Sequence, residues 1–183
     1  MTSESTVPKL DKSSPIFWAM QITRATDYAV RIMIHFAGLP EGTRLAAPEL
    51  ARGIQAPESF VSKVLQQLVQ RGMVTSHRGA GGGFQLAVTP EKVSLLDVVE
   101  MVEGPLQINL CLAGEASCDL SSWCGAHPIW NDAQAALKKV LASASIARLA
   151  RDSMTNRARE AINSNDKIQI QPTQVAGRKR RSG

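Results

Sequence analysis

Three cysteines and a histidine stand close together in this sequence: Cys111, Cys118, Cys124 and His127, seventeen residues from first to last. Thiolates are the usual ligands of iron–sulfur clusters, and an imidazole can replace one of them on one iron. Three Cys and one His also make a legitimate zinc set. Zinc ligands, however, commonly come in pairs about two to four residues apart, and the gaps between these cysteines are six and five residues. Wide gaps in a loop suit a larger cluster. Idle structural cysteines prefer burial, whereas this segment is polar and contains glycine. An odd, clustered set of thiols with no secretory signal in the sequence points to metal in a reducing cytoplasm rather than to disulfides.

A second set of residues suits DNA. Between Pro57 and Gly72, the residues Ser59, Ser62, Lys63, Gln66, Gln67 and Gln70 recur on one helical face, opposite an apolar stripe of Phe60, Val61, Val64, Leu65, Leu68 and Val69. A helix fits the major groove; Gln can pair with adenine there, and Lys can reach guanine or phosphate. Ser59, Phe60, Ser62, Lys63, Gln66 and Gln67 are therefore the candidate DNA-contacting residues of this helix. Downstream lies Arg78-Gly79-Ala80-Gly81-Gly82-Gly83 between two strand-like runs, Met73–His77 and Phe84–Val88. Strand, glycine loop, strand is a hairpin. An Arg on a thin wing can enter a narrow minor groove, so Arg78 and Gly79 complete the candidate set. A nucleotide-binding loop is disfavoured, because no Gly-Lys-Ser/Thr follows the glycines. His35 reads as a boundary side chain of the first helix and His77 as a solvated one beside the wing.

The elements that must position these residues are mostly helical. Ala25, Tyr28, Ala29, Ile32, Met33, Phe36 and Ala37 form one stripe of a first helix, capped by Thr23 and ended by Gly38 and Pro40. A short second helix has Pro48 in its first turn, Leu50, Ala51 and Ile54 inward, and Gly53 at its close. Ser94 and Asp97 form a capping box for a helix that ends at Gly104-Pro105. Residues 106–126 have no helical period. Pro128 opens a long helix with Trp130, Ala133, Leu137, Val140 and Leu141 on one face, and Ile146–Ala150 reads as a short final turn. The predicted fold is mainly α with a small β-hairpin wing: a winged helix-turn-helix domain plus a long dimerisation helix. Its parts are a disordered leader (1–19), the DNA-binding domain (20–104), a cluster-binding loop (105–127), the dimerisation helix with a short final helix (128–152) and a disordered basic tail (153–183).

Charge follows the same division. The chain carries a formal +5, with seven basic against four acidic side chains in residues 20–84 and eight against ten in 85–177. The front half is the better match to phosphates. No stretch is long enough to span a membrane.

Together these residues resemble the IscR/NsrR/RirA group of bacterial iron–sulfur regulators, from Met20 to about Asp152. The likeness runs through Met20-Gln21-Ile22-Thr23, then Thr26-Asp27-Tyr28-Ala29-Val30-Arg31. It continues through Val74 to Phe84, which looks like the family's wing, then the three-cysteine loop and the helix after it. The resemblance implies a homodimer with the helix from Pro128 as its seam. It also implies a palindromic operator, each recognition helix in a major groove and each wing Arg in a minor groove. Loss of the cluster would then change DNA affinity. His127 sits where IscR-like members place a His ligand, which favours a 2Fe–2S cluster. Asp27 sits where NsrR-like members place a carboxylate that reaches the partner subunit's cluster, which favours 4Fe–4S and nitric oxide sensing. The bland alternative for Asp27 is an ion pair with Arg31, four residues on. The first cysteine gap departs from the family, whose members often show five residues there. Residues 1–19 precede the family's usual start, so Met20 is expected to be the initiator or the leader dispensable.

The expected function is thus a cluster-dependent transcription regulator, a repressor sensing iron or cluster status, nitric oxide or redox stress. The alternative is a zinc-stabilised winged-helix DNA-binding protein without cluster sensing. An enzyme ranks last, because no Rossmann fingerprint or nucleophile–base motif is present.

Overall fold

The computed structural model describes residues 22–79, 81–113 and 118–169, the last six of these as backbone only. The leader expected at 1–19 and the end of the tail, 170–183, lie outside the described residues. Helix α1 (Arg24–Ala37) begins where expected: the Thr23 hydroxyl accepts from the Thr26 amide, and Gly38 ends the helix. Its stripe is buried from Tyr28 through Phe36. Helix α2 (Ala47–Gly53) has proline in its first turn, and the Glu49 carboxylate accepts from the Ala46 amide at 2.7 Å. Helix α3 (Glu58–Gln70) follows after a tight turn.

Strands β1 (Val74–His77) and β2 (Gly83–Leu86) pair antiparallel, with Val74 opposite Leu86 and His77 opposite Gly83. A third short piece joins them. Leu45 exchanges both backbone hydrogen bonds with Phe84, at 3.0 and 2.8 Å. Nothing in the local sequence announces this pairing, since Leu45 is a single residue between a turn and α2.

Helix α4 (Leu95–Glu103) has the Ser94–Asp97 capping box. It packs on α1 and on α5 (His127–Ala142). One core runs through the domain: Ile32 and Met33 of α1, Leu50 of α2, Val61, Leu65 and Leu68 of α3, Val98 of α4, and Ile146 at the start of the last helix. Fully burying each such side chain contributes roughly 1.5–3 kcal/mol. Ile146 is held there by main chain as well, its amide donating to the Val93 carbonyl at 2.8 Å.

The C-terminal part differs from expectation. Helix α6 is not one final turn at Ile146–Ala150; it runs Ile146–Gln169, 24 residues. The segment expected to be disordered from 153 is thus helical as far as Gln169. The reason is physical: no glycine or proline interrupts the chain from Ile146 to Gln169, and Ile146, Ala147 and Ala150 anchor the first turns by burial. The polar remainder hid the helix, because low apolar content reads as disorder. Among the described residues no helix is long and apolar enough to cross a membrane. His35 is a boundary residue, as its position in the first helix predicts: it is half-buried, and its ring lies so close to Gly53 that an added Cβ there would meet ring atoms at 2.6–2.7 Å. Burial, and then the nearby Arg157 charge, hold its imidazole below the ordinary histidine range.

Candidate nucleic-acid interface and metal centre

The turn from α2 to α3 is closed by Gln55, which takes a left-handed backbone at φ 54°. It is the only non-glycine residue with positive φ among the described residues, a conformation that costs a side-chain-bearing residue about 1–2 kcal/mol. The turn sets α3 against α2 and presents its polar face to solvent. Ser59, Lys63, Gln66, Gln67 and Gln70 are exposed and Ser62 is half-buried. Phe60 corrects the sequence reading. It does not belong to the buried stripe but is 50 % exposed, and its ring rests on Tyr28 of α1 at a centroid distance of 6.1 Å. Helical periodicity places Phe60 at the edge of the apolar arc, where a neighbour decides whether it is covered.

At the wing, Arg78 and Gly79 are exposed, and Ala80 lies outside the described residues. Glycine is needed at the base of the wing. Gly83 has φ +146°, and a Cβ there would stand 2.8 Å from the Leu45 carbonyl oxygen. Gly83→Ala should therefore destabilise the domain by about 2 kcal/mol, through strained backbone and a disturbed Leu45–Phe84 pair. Urea unfolding checks this; an unchanged midpoint would show that the pair yields freely.

The cysteine segment is pinned at its entrance. Glu100 of α4 accepts from the Leu106 amide and pairs with Lys138 of α5, both at 3.0 Å. These two partners, the amide first, hold its carboxyl below the usual carboxylate range. Gln134 of α5 accepts from the Ile108 amide at 3.1 Å. Cys111 then lies in a 3-10 turn, Leu110–Leu112, a local departure from the structureless loop expected there. Cys118 and Cys124 lie in successive turns: the Cys118 carbonyl accepts from Ser121, and the Cys124 carbonyl from His127, both at 3.1 Å. His127 opens α5, its Nδ1 3.4 Å from the Asn131 side-chain amide.

All three thiols are free and half-buried. Their chemistry fits soft iron, since thiolates are its usual cluster ligands. Their placement does not converge on one ion: among the described residues, no three His, Cys, Asp or Glu side chains stand together as a metal site. Residues 114–117, between Cys111 and Cys118, lie outside the described residues. Asp27 is engaged by Arg31, with Nη2 to Oδ2 at 2.9 Å and Nε to Oδ1 at 3.1 Å.

One long-range contact beside the site had no sequence signal. Glu103, the last residue of α4, reaches the start of α1. Its Oε1 accepts from the Thr23 hydroxyl at 2.7 Å, from the Thr23 amide at 3.0 Å and from the Thr26 hydroxyl. Thr26 is fully buried. Burial alone would push the Glu103 carboxyl up; the hydrogen bonds from Thr26 and Thr23 outweigh it and hold the carboxyl below the usual range. The residue that introduces the cysteine segment thus clasps the first helix of the winged domain.

The family described as "Rrf2: Iron-dependent Transcriptional regulator" matches residues 22–152. Protein aau3 of Rhizobium meliloti is 36% identical over 124 residues, 67% of this chain and 75% of that protein. The HTH-type transcriptional regulator NsrR of Bacillus subtilis is 32% identical over 123 residues, 67% of this chain and 84% of that one. Among solved structures, CymR (YrzC), the global cysteine regulator of B. subtilis, aligns with a TM-score of 0.60 at 23% identity, covering 72% of this chain and 97% of CymR. T. potens IscR aligns at 0.54 and 22% identity, covering 73% and 88%. With a family match over most of its length and winged-helix neighbours of the same shape, this chain belongs to the Rrf2 family and is a DNA-binding transcription regulator, not an enzyme.

Proposed function

We propose that this regulator carries an iron–sulfur cluster on Cys111, Cys118 and Cys124 and that cluster status sets its affinity for DNA. One observation carries the reading: three free, half-buried thiols share a segment whose Leu106 amide is held by Glu100 of the winged domain and whose Ile108 amide is held by Gln134 of α5. A change in that segment has short paths to both. When bound, a cluster supplies iron that reacts with nitric oxide and oxidants and depends on iron supply. The chain's own residues transmit the result, with Ser59, Phe60, Ser62, Lys63, Gln66 and Gln67 in the major groove and Arg78 and Gly79 in the minor groove. The protein acts as a cytoplasmic homodimer, a repressor on a palindromic operator. Helix α5 supports the dimer: it buries none of its residues in the single chain, and Ile129, Trp130 and Val140 are 64 %, 42 % and 65 % exposed.

Anaerobic purification with an absorption spectrum and iron and sulfide analysis tests the reading. Brown protein with iron and acid-labile sulfide is expected. Colourless protein holding zinc, or no metal even after anaerobic reconstitution, would overturn it and leave a winged-helix DNA binder. The fourth ligand separates two cluster types. His127→Ala should lower cluster retention about tenfold or more while Asp27→Ala, which frees Arg31, leaves it intact, as a 2Fe–2S cluster requires. The opposite result assigns the carboxylate and favours 4Fe–4S; no loss in either variant rejects both.

A further inference from the structure

Helix α3 exposes one large apolar side chain, Phe60, among serine, lysine and glutamine. It is the third residue of the helix, in the N-terminal turn that reaches base edges when such a helix enters the groove. Its ring leans at 56° on that of Tyr28, which is only 8 % exposed. Tyr28 in turn sits on the first turns of α1, which the Glu103 clasp fixes. One side of the Phe60 ring is therefore held by the fold, and the other faces outward at little further ordering cost.

An outward phenyl ring can neither pair with a phosphate nor hydrogen-bond a base edge. On the floor of the major groove one group is apolar, the 5-methyl of thymine. From this we infer that Phe60 reads a thymine in each half-site by covering its 5-methyl group, while Ser59, Lys63, Gln66 and Gln67 read the polar edges beside it. The inference rests on the proposed entry of α3 into the major groove. It adds a base identity that the polar residues do not supply: deoxyuridine offers the same hydrogen-bonding edge as thymidine and lacks only the methyl.

The test uses the full-length dimer and a duplex isolated from a random-sequence pool by repeated selection for binding. Each thymine is then replaced in turn by deoxyuridine. At one position per half-site the swap should weaken wild-type binding roughly fourfold, about the worth of one buried methyl-sized group. The same swap should be silent in Phe60→Ala, because the two changes remove one contact. Phe60→Leu keeps an apolar tip and contact with Tyr28, and it should retain part of the discrimination if alanine perturbs the fold. If Phe60→Ala weakens thymine and uracil duplexes equally at every position, the ring touches backbone or only Tyr28, and the inference falls. Gln66→Ala and Gln67→Ala report on the underlying reading. If neither alters affinity or sequence preference, α3 does not read DNA and both ideas fall; if they do and no uracil swap couples to Phe60, the thymine contact alone is rejected.

Discussion

Cys111→Ser, Cys118→Ser and Cys124→Ser are each expected, on the proposed cluster, to give a regulator that is purified without iron and sulfide and is locked in one DNA-binding state. Oxygen is a harder ligand than sulfur, and a cluster needs its thiolates, so each single variant should lose most of its iron and sulfide. The operator affinity of each variant should then equal that of wild-type protein stripped of its cluster. It should differ from that of the loaded protein by roughly 5- to 150-fold, the usual range of coupling between two sites. If the three residues act as one unit, the triple variant should be no worse than any single one. Iron analysis and titration of the selected duplex at one fixed salt concentration read both effects. If a single variant keeps its iron, that cysteine is not a ligand. If all lose iron and none changes affinity, a cluster is present without a sensing role. The salt condition matters, because phosphate contacts make every such affinity salt-dependent.

The second large effect is expected at Glu103. Its carboxylate accepts from Thr23 twice and from the buried Thr26 hydroxyl. Glu103→Ala leaves those donors without their acceptor, and a buried donor so orphaned costs about 1–3 kcal/mol. Glu103 itself is on the surface, so water can reach part of the vacated place. A net loss of about 2 kcal/mol is expected, which in a chain of this size lowers Tm by roughly 4–8 °C. Glu103→Gln keeps the shape and one acceptor oxygen and should lose less. The pH dependence has a definite sign. Glu100 and Glu103 both titrate below the ordinary value of 4.5 in the folded chain. Their contribution is present above that value and is lost as pH falls through their lowered values. Wild-type stability should therefore fall on acidification below about 4.5, and Glu103→Ala should show a shallower acid limb. Equal slopes for the two proteins would remove Glu103 from this account.

Cysteine variants act on the proposed sensor and Glu103 variants on the contact beside it, so comparing them separates the two. If Glu103→Ala keeps its cluster yet narrows the affinity difference between loaded and stripped protein, the clasp carries part of the signal from the segment at 105 to the first helix. Such coupling requires an element with two arrangements that both sites bias, and the junction of α4 with the start of α1 is well placed to be one.

Much of the local architecture was legible in the residues. Thr23, the Ser94–Asp97 box, Pro48 and Gly38 mark helix ends because capping and backbone restriction act within a few residues. The glycine run between two short β-prone segments marks the wing for the same reason. Apolar periodicity identifies which face of α1, α2 and most of α3 turns inward. The cysteine spacing and the polar face of α3 point to metal and DNA chemistry, and the family follows from the set. Tertiary structure alone decided what covers what. Leu45 pairs with Phe84 across 39 positions, and Glu103 reaches Thr23 across 80. Phe60 stands half outside the core because Tyr28 covers only one side of it. Helix α6 continues far beyond its apolar first turns, because an uninterrupted polar run anchored by Ile146 and Ala150 can remain helical. Caps and periods are local and leave their mark in adjacent residues. Hydrogen bonds and packing between distant segments depend on how the helices are set against one another, which no short stretch of sequence encodes.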